Sequence, residues 1–420
     1  MKIARFILLL LTLISCRKQP IEQPVEPFPP KDTLRNFEIV WMVPVKADTT
    51  TTCIANDPCL VGTDLMYVNY FCGGNDVVQL LDGATGQRKW SQSKPTVWGE
   101  GDAIGSVASW NDLGLICSWD EIYALRQSNG QTVWSSDVGS GSGGGEPRIK
   151  VIGDYVYHCH RPDGNNVASA HLVRSLAGQG STWDTLFSAY REENDGYSPD
   201  FEMPSIWQTP QGDTLLIFQN RQTRFGNSDG KIDLYALNLR TRAVVWKVSD
   251  LTPEGYSITD PPLIWQDKIF FVGTWRIFCL DAASGHLLWT VDNSSDPINH
   301  FSHIRPCEHA GYHLLIAESG DGLFYAFNMS NGSQVWKTAT DWGWSQPFAV
   351  LEDRIYATGS DGLLICINAF NGKLVWQEAP PARQLGFSGT GFTYGGVLIN
   401  PDRRFLYVND GIFWYCLKLL

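Results

Sequence analysis

Six stretches of the chain repeat one pattern, an apolar run, a polar turn and a second apolar run that ends in tryptophan. They are LLDGATGQRKW (80–90), ALRQSNGQTVW (124–134), ALNLRTRAVVW (236–246), CLDAASGHLLW (279–289), AFNMSNGSQVW (326–336) and CINAFNGKLVW (366–376). The closing residues are Trp90, Trp134, Trp246, Trp289, Trp336 and Trp376. Glycine stands four places earlier in five of them, at Gly86, Gly130, Gly285, Gly332 and Gly372, and Arg242 is the exception. Asp82, Asn238, Asp281, Asn328 and Asn368 open the turn. This is hairpin chemistry: Asp or Asn starts a tight turn, Gly supplies a positive φ, and the exit strand carries a buried Trp. No long segment shows the 3.6-residue apolar period of a helix.

Two further marks recur with each unit. Asp229-Gly230, Asp321-Gly322, Asp361-Gly362 and Asp410-Gly411 precede short apolar runs and predict another hairpin turn. Pro58, Pro147, Pro204, Pro262, Pro306 and Pro347 begin apolar runs, as proline does at the first residue of a strand. Each unit therefore reads as a four-stranded antiparallel meander. The interval from Trp134 to Trp246 has room for two units, with Trp183 as a degenerate marker. The C-terminal LYVNDGIFWYCLKLL stops before any Trp strand, while FEIVWMVPV (37–45) is a Trp strand around Trp41 with no unit before it. Joined, these two ends complete an eighth unit, and closure removes the sheet edges that invite aggregation. The expected fold is all-β: an eight-bladed propeller over residues 35–420, closed by its N-terminal strand.

Composition agrees and removes some functions. Among 420 residues there are 40 Gly and 17 Trp but only 5 Met, which suits a turn-rich aromatic β protein. A net charge of −12 argues against nucleic-acid binding, which needs a basic surface.

The N-terminus is an address. Lys2 and Arg5 precede an apolar run, Phe6 to Ile14, that is too short for a bilayer, since a spanning helix takes about 20 residues. Residues 1–15 thus read as a signal peptide. Leu13-Ile14-Ser15-Cys16 resembles the lipobox of bacterial lipoproteins, which implies that Cys16 becomes the lipid-bearing N-terminus and binds the membrane. Residues 16–34 are proline-rich and read as a tether. Arg17 follows the cysteine where an inner-membrane retention signal would have Asp. The expected location is the outer membrane, facing the periplasm.

The turn-and-tryptophan signature resembles the PQQ-like repeat of quinoprotein propellers. That family contains periplasmic alcohol dehydrogenases that hold pyrroloquinoline quinone with calcium, and a non-enzymatic outer-membrane assembly lipoprotein of eight blades. In the dehydrogenases a disulfide between adjacent cysteines lies against the cofactor, and no two cysteines are adjacent here. The resemblance therefore implies a non-catalytic binding scaffold with no cofactor expected. A quinone-binding oxidoreductase or sensor is the alternative.

The remaining chemistry is weighed residue by residue. Cys279, Cys366 and Cys416 share a repeat slot with Ala124, Ala236 and Ala326, so they read as small packing residues. Cys53 and Cys59 bracket a short loop and form a candidate disulfide in an oxidising compartment. His158-Cys159-His160 places its histidines opposite the cysteine on a strand, while His300, His303, His309 and His313 have ligand-like spacing. Surface or loop roles explain both sets more simply, and no metal is assigned. GSGSGG (139–144) lacks the helix a phosphate-binding loop needs.

Propeller geometry brings the starts of the innermost strands to one mouth of the channel. Asp57, Asp102, Glu146, Glu202, Asp260, His303 and Gln346 should gather there, a negative funnel for a cation, a basic loop or a polar ligand. Trp98, Trp342 and Trp344 lie between blades as candidate surface contacts for protein or glycan, so a glycan-binding lipoprotein is a third reading. A monomeric propeller with an envelope or outer-membrane protein as partner is expected.

Overall fold

The computed structural model describes residues 36–45, 54–55, 58–70, 77–93, 106–117, 121–137, 149–162, 168–180, 182–193, 196–223, 230–249, 251, 260–294, 300–320, 322–339, 347–359, 361–384, 386–387, 391–392 and 394–420. The compact unit runs from Asn36 to Leu420. Cys16, Cys53, Asp57, Trp98, Asp102, Glu146, Trp342, Trp344 and Gln346 lie outside the described residues.

Eight antiparallel sheets follow one another along the chain. Blade 1 comprises Ile54–Ala55 with Cys59–Val61, Asp64–Tyr70, Val77–Leu81 and Arg88–Ser93. Blade 2 is built from Ser106–Trp110, Leu113–Cys117, Glu121–Arg126 and Thr132–Asp137, and blade 3 from Ile149–Ile152, Tyr155–His160, Ser169–Leu176 and Asp184–Tyr190. Blade 4 has Ser198–Phe201 with Ser205–Gln208, then Thr214–Thr223, Gly230–Asn238 and Val244–Val248. Blades 5, 6 and 7 are Leu263–Asp292, Phe301–Ala339 and Ala349–Glu378, four strands each. Blade 8 takes Tyr394–Asn400, Phe405–Asn409 and Phe413–Leu419 from the C-terminus and Phe37–Pro44 from the N-terminus. Trp41 pairs with Cys416, as Trp289 pairs with Cys279 and Trp376 with Cys366. Blade 8 returns to lie beside blade 1, so the ring is closed.

The local turns explain the repeat. Asp82 Oδ1 accepts the backbone N–H groups of Ala84 at 3.0 Å and Thr85 at 2.9 Å, and Asn238 and Asn368 do the same in their own blades. The turn delivers its glycine to the tryptophan of the preceding blade. Gly86 has φ 71°, and a methyl group there would lie 2.7 Å from the Trp41 ring. Trp41 Nε1 donates to the Gly83 carbonyl at 3.1 Å, which fixes the ring over the turn. The same lock joins Trp90 to Gly130, Trp134 to Gly180, Trp246 to Gly285, Trp289 to Gly332 and Trp336 to Gly372. Where the chain ends interrupt the turn of blade 8, Phe37 covers Trp376 instead, with centroids 5.8 Å apart.

Blade 3 departs from this scheme, and the degenerate marker is not Trp183. Arg174 occupies the slot that is alanine or cysteine in six blades and Leu80 in blade 1, and its strand partner is Asp184, one residue beyond Trp183. Trp183 instead turns toward blade 2 and meets His158 edge-on at 4.1 Å. With a carboxylate in place of the ring, the next blade needs no glycine. Arg242 fills that position with φ 63° and pairs with Asp184, to which Arg174 Nε also donates at 3.0 Å. The two exceptions in the repeat are thus one event.

A second row of tryptophans had no marker in the sequence. Trp110, Trp207 and Trp265 stand near the ends of innermost strands and reach the first turn of the following blade. Trp207 Nε1 donates to the Gln266 carbonyl at 3.0 Å, Trp110 Nε1 to Asp154 at 3.3 Å, and Trp265 lies over His313. The proline marks hold at Pro58, Pro204, Pro262 and Pro347, which precede innermost strands. Pro306 is a correction, since it sits inside Phe301–His309, a nine-residue strand that begins earlier at a bulge.

Candidate functional site at the channel mouth

The innermost strands of blades 4, 5 and 6 begin near Glu202, Asp260 and His303, the three described members of the predicted mouth. The structure brings them into one polar arc. Arg161 at the end of blade 3 pairs with Asp200 of blade 4, whose other oxygen accepts Arg221 at 2.6 Å. Arg221 also lies 4.0 Å from Glu202. Gln219, two residues before Arg221, donates to the Asp260 carbonyl of blade 5 at 3.3 Å. The Asp260 carboxylate then takes Arg305 at 2.6 Å and His303 at 3.1 Å from blade 6. The arc links four successive blades.

Its electrostatics are set by burial and by these partners. Burial alone would raise the Asp260 carboxyl, but the hydrogen bond and charge of His303 and the Arg305 guanidinium outweigh it and hold it well below the carboxylate range. Asp200 behaves alike, with burial opposed by Arg161 and Arg221. Lys150, on the innermost strand of blade 3, has its pKa lowered by burial and feels Asp260 and Arg305.

Asp57, Asp102 and Glu146, three of the five carboxylates expected in the funnel, lie outside the described residues, and the other two are engaged. Glu202 and Asp260 are carboxylates, but each is held by arginine, because the inner strands carry Arg221 and Arg305 among their apolar residues. Those arginines, with Arg161, Asp200 and Gln219, were missed. The available signal was a charge inside an apolar strand run, as in LLIFQNRQT and SHIRPC. Asp200, Glu202 and Asp260 also make a poor calcium donor set, since a hard cation needs several uncommitted oxygens.

The histidine groups separate. His300 packs on Gly320 and His303 holds Asp260 at the mouth, whereas His309 stacks on Phe370 and His313 lies 3.7 Å from Glu308 at the opposite end of the same strand. Nine strand residues put these ends roughly 25 Å apart. His158 is buried beside Trp183, and burial brings it down to about 3, so it is neutral at pH 7. Cys159 lies on the other face among Phe187 and Phe201. Cys279, Cys366 and Cys416 are buried, as the slot required. Cys59 carries a free thiol, which burial pushes up to about 12.

The arc predicts a pH response. A folded pKa below the unfolded value contributes stability above the unfolded value, about 3.9 for Asp, and loses it as pH falls toward the folded one. Wild type should therefore lose more urea stability than Asp260→Asn between pH 4.5 and pH 2.5. Parallel losses would show that the pairs around Asp260 contribute nothing.

Residues 228–340 and 320–413 match the family described as outer membrane protein assembly factor BamB. A search of curated proteins by sequence finds no match. Among solved structures the chain is similar to BamB from Moraxella catarrhalis, at 14% identity and TM-score 0.58, covering 92% of this chain and 98% of that one. It is similar to a europium-containing methanol dehydrogenase at 14% identity and TM-score 0.59, covering 91% and 93%. A third likeness is to the quinohemoprotein alcohol dehydrogenase from Comamonas testosteroni, at 12% identity and TM-score 0.60, covering 92% and 77%. At such identities the solved structures speak for the fold. The turn-and-tryptophan repeat and the eight blades make this chain an eight-bladed β-propeller, whose residues 228–413 are similar to the family described as outer membrane protein assembly factor BamB.

Proposed function

We propose that the protein is a non-catalytic binding scaffold of the bacterial cell envelope, anchored by a lipid on Cys16 and serving outer-membrane protein assembly. The observation that carries the reading is the match of residues 228–413 to the family described as a BamB assembly factor. The channel mouth supports it, because its described carboxylates are engaged by Arg221, Arg305 and His303 and hold the blades together. Catalysis needs a group poised toward substrate, and here those groups are spent on one another. The scaffold acts by display: a rigid ring offers turns and outer strands to a partner, by loop docking or strand addition. The proposed attachment is the lipid on Cys16, read from Leu13-Ile14-Ser15-Cys16; no helix among the described residues is long and apolar enough to cross a membrane.

Affinity capture of the lipidated protein from native membranes tests this directly. Outer-membrane assembly proteins should be enriched over a Cys16→Ser control that is no longer lipidated. A capture that returns none of them overturns the assembly role. The quinone-binding alternative predicts a bound-quinone absorbance after incubation with pyrroloquinoline quinone and calcium, and the scaffold reading predicts none.

A further inference from the structure

The seam between blades 3 and 4 is unlike the other seven. At six seams a tryptophan is seated on the glycine of the next blade, and at the seventh Phe37 takes the place of that glycine over Trp376. Between blades 3 and 4 the outer contact is ionic: Arg174, Asp184 and Arg242 replace the small slot residue, the tryptophan and the glycine. The inner end of the same seam is ionic as well, through Arg161 of blade 3 and Asp200 of blade 4, with Arg221 behind. The aromatic rings of Phe187, Phe201, Phe218 and Tyr235 fill the space between.

The two ends differ in exposure. Side chains of Asp184 and Arg242 are 45% and 36% exposed, whereas those of Asp200, Arg161 and Arg221 are 10%, 11% and 14% exposed. Salt screens exposed pairs strongly and buried ones little. A tryptophan on glycine, being apolar, does not weaken with added salt.

We infer that the seam between blades 3 and 4 is a salt-loosened joint, which opens at its rim around Asp184 while the buried Arg161–Asp200–Arg221 cluster acts as its hinge. This gives the ring a seam whose outer contact is ionic where six others have tryptophan on glycine, and it does not depend on the assembly role.

Hydrogen exchange read by mass spectrometry tests the joint on the full chain. Raising NaCl from about 0.05 M to 0.5 M should speed exchange in Asp184–Tyr190 and Val244–Val248 about threefold to fivefold, the factor expected for losing an exposed ion pair. The matching strands Thr132–Asp137 and Gln334–Ala339 should change by less than about half that factor. Transplanting the apolar lock, as Arg174→Ala with Asp184→Trp and Arg242→Gly, should remove the salt response. Should the triple variant not fold, Asp184→Asn removes the charge alone and should leave the rim fast at both salt concentrations. An equal response at every seam, or an unchanged response in the variants, overturns the joint.

Discussion

Trp41→Ala is expected to be among the most damaging single substitutions that touch no functional group. Trp41 is 3% exposed, donates to the Gly83 carbonyl, touches Gly86 and lies against Tyr407 at 5.9 Å. Removing a buried tryptophan costs about 3–5 kcal/mol in lost transfer energy and cavity. Here the loss falls on the strand that closes the ring, where both chain ends meet. Urea unfolding should show a midpoint shift as large as that of Trp134→Ala, which breaks the equivalent lock within the chain. A shift much smaller than that of Trp134→Ala would mean that the N-terminal strand does not hold the ring. Deleting residues 36–45 should go further, because it uncovers an edge strand carrying Trp414 and Cys416, both fully buried in the closed blade. Aggregation measured by light scattering is the expected result.

The ring was legible because its lock is written in two residues at a fixed separation. A Trp and a Gly in neighbouring blades must meet, so each unit repeats both, and counting them gives the blades and the missing half-unit at each end. Blade 3 resisted for a physical reason. Its lock is ionic, and Asp184 gives no signal to a search for aromatic side chains, so Trp183, one place earlier, attracts the reading. Arg242 looked like an isolated lapse in the glycine column until its partner was seen. The channel mouth was legible only in position: strand starts identify which residues gather, as Glu202, Asp260 and His303 do. Their net effect depends on Arg161, Arg221 and Arg305, which come from other strands and blades. No spacing along the chain records those encounters, so a count of carboxylates alone does not tell how Glu202 and Asp260 are engaged.

The glycine column allows a sharper test of the lock, because two glycines share a backbone conformation and differ in surroundings. Gly180 has φ 60° and Gly153 has φ 59°, both in the left-handed region. Replacing either by alanine costs about 1–2 kcal/mol for the conformation alone. At Gly153 nothing lies within 4 Å of the added methyl, so the cost should stop there. At Gly180 the methyl would sit 2.0 Å from the Trp134 ring, and that ring is held by its Nε1 donating to the Ala177 carbonyl at 2.9 Å. The tryptophan cannot retreat without giving up that bond, so overpacking adds about 1–3 kcal/mol. Gly180→Ala should therefore be destabilised by roughly 2–4 kcal/mol in urea unfolding, clearly beyond Gly153→Ala. The excess should shrink in a Trp134→Ala background, where the methyl meets no ring, and a double-mutant cycle measures that coupling. Equal costs at the two glycines would mean that backbone conformation, and not contact with tryptophan, places glycine in the repeat.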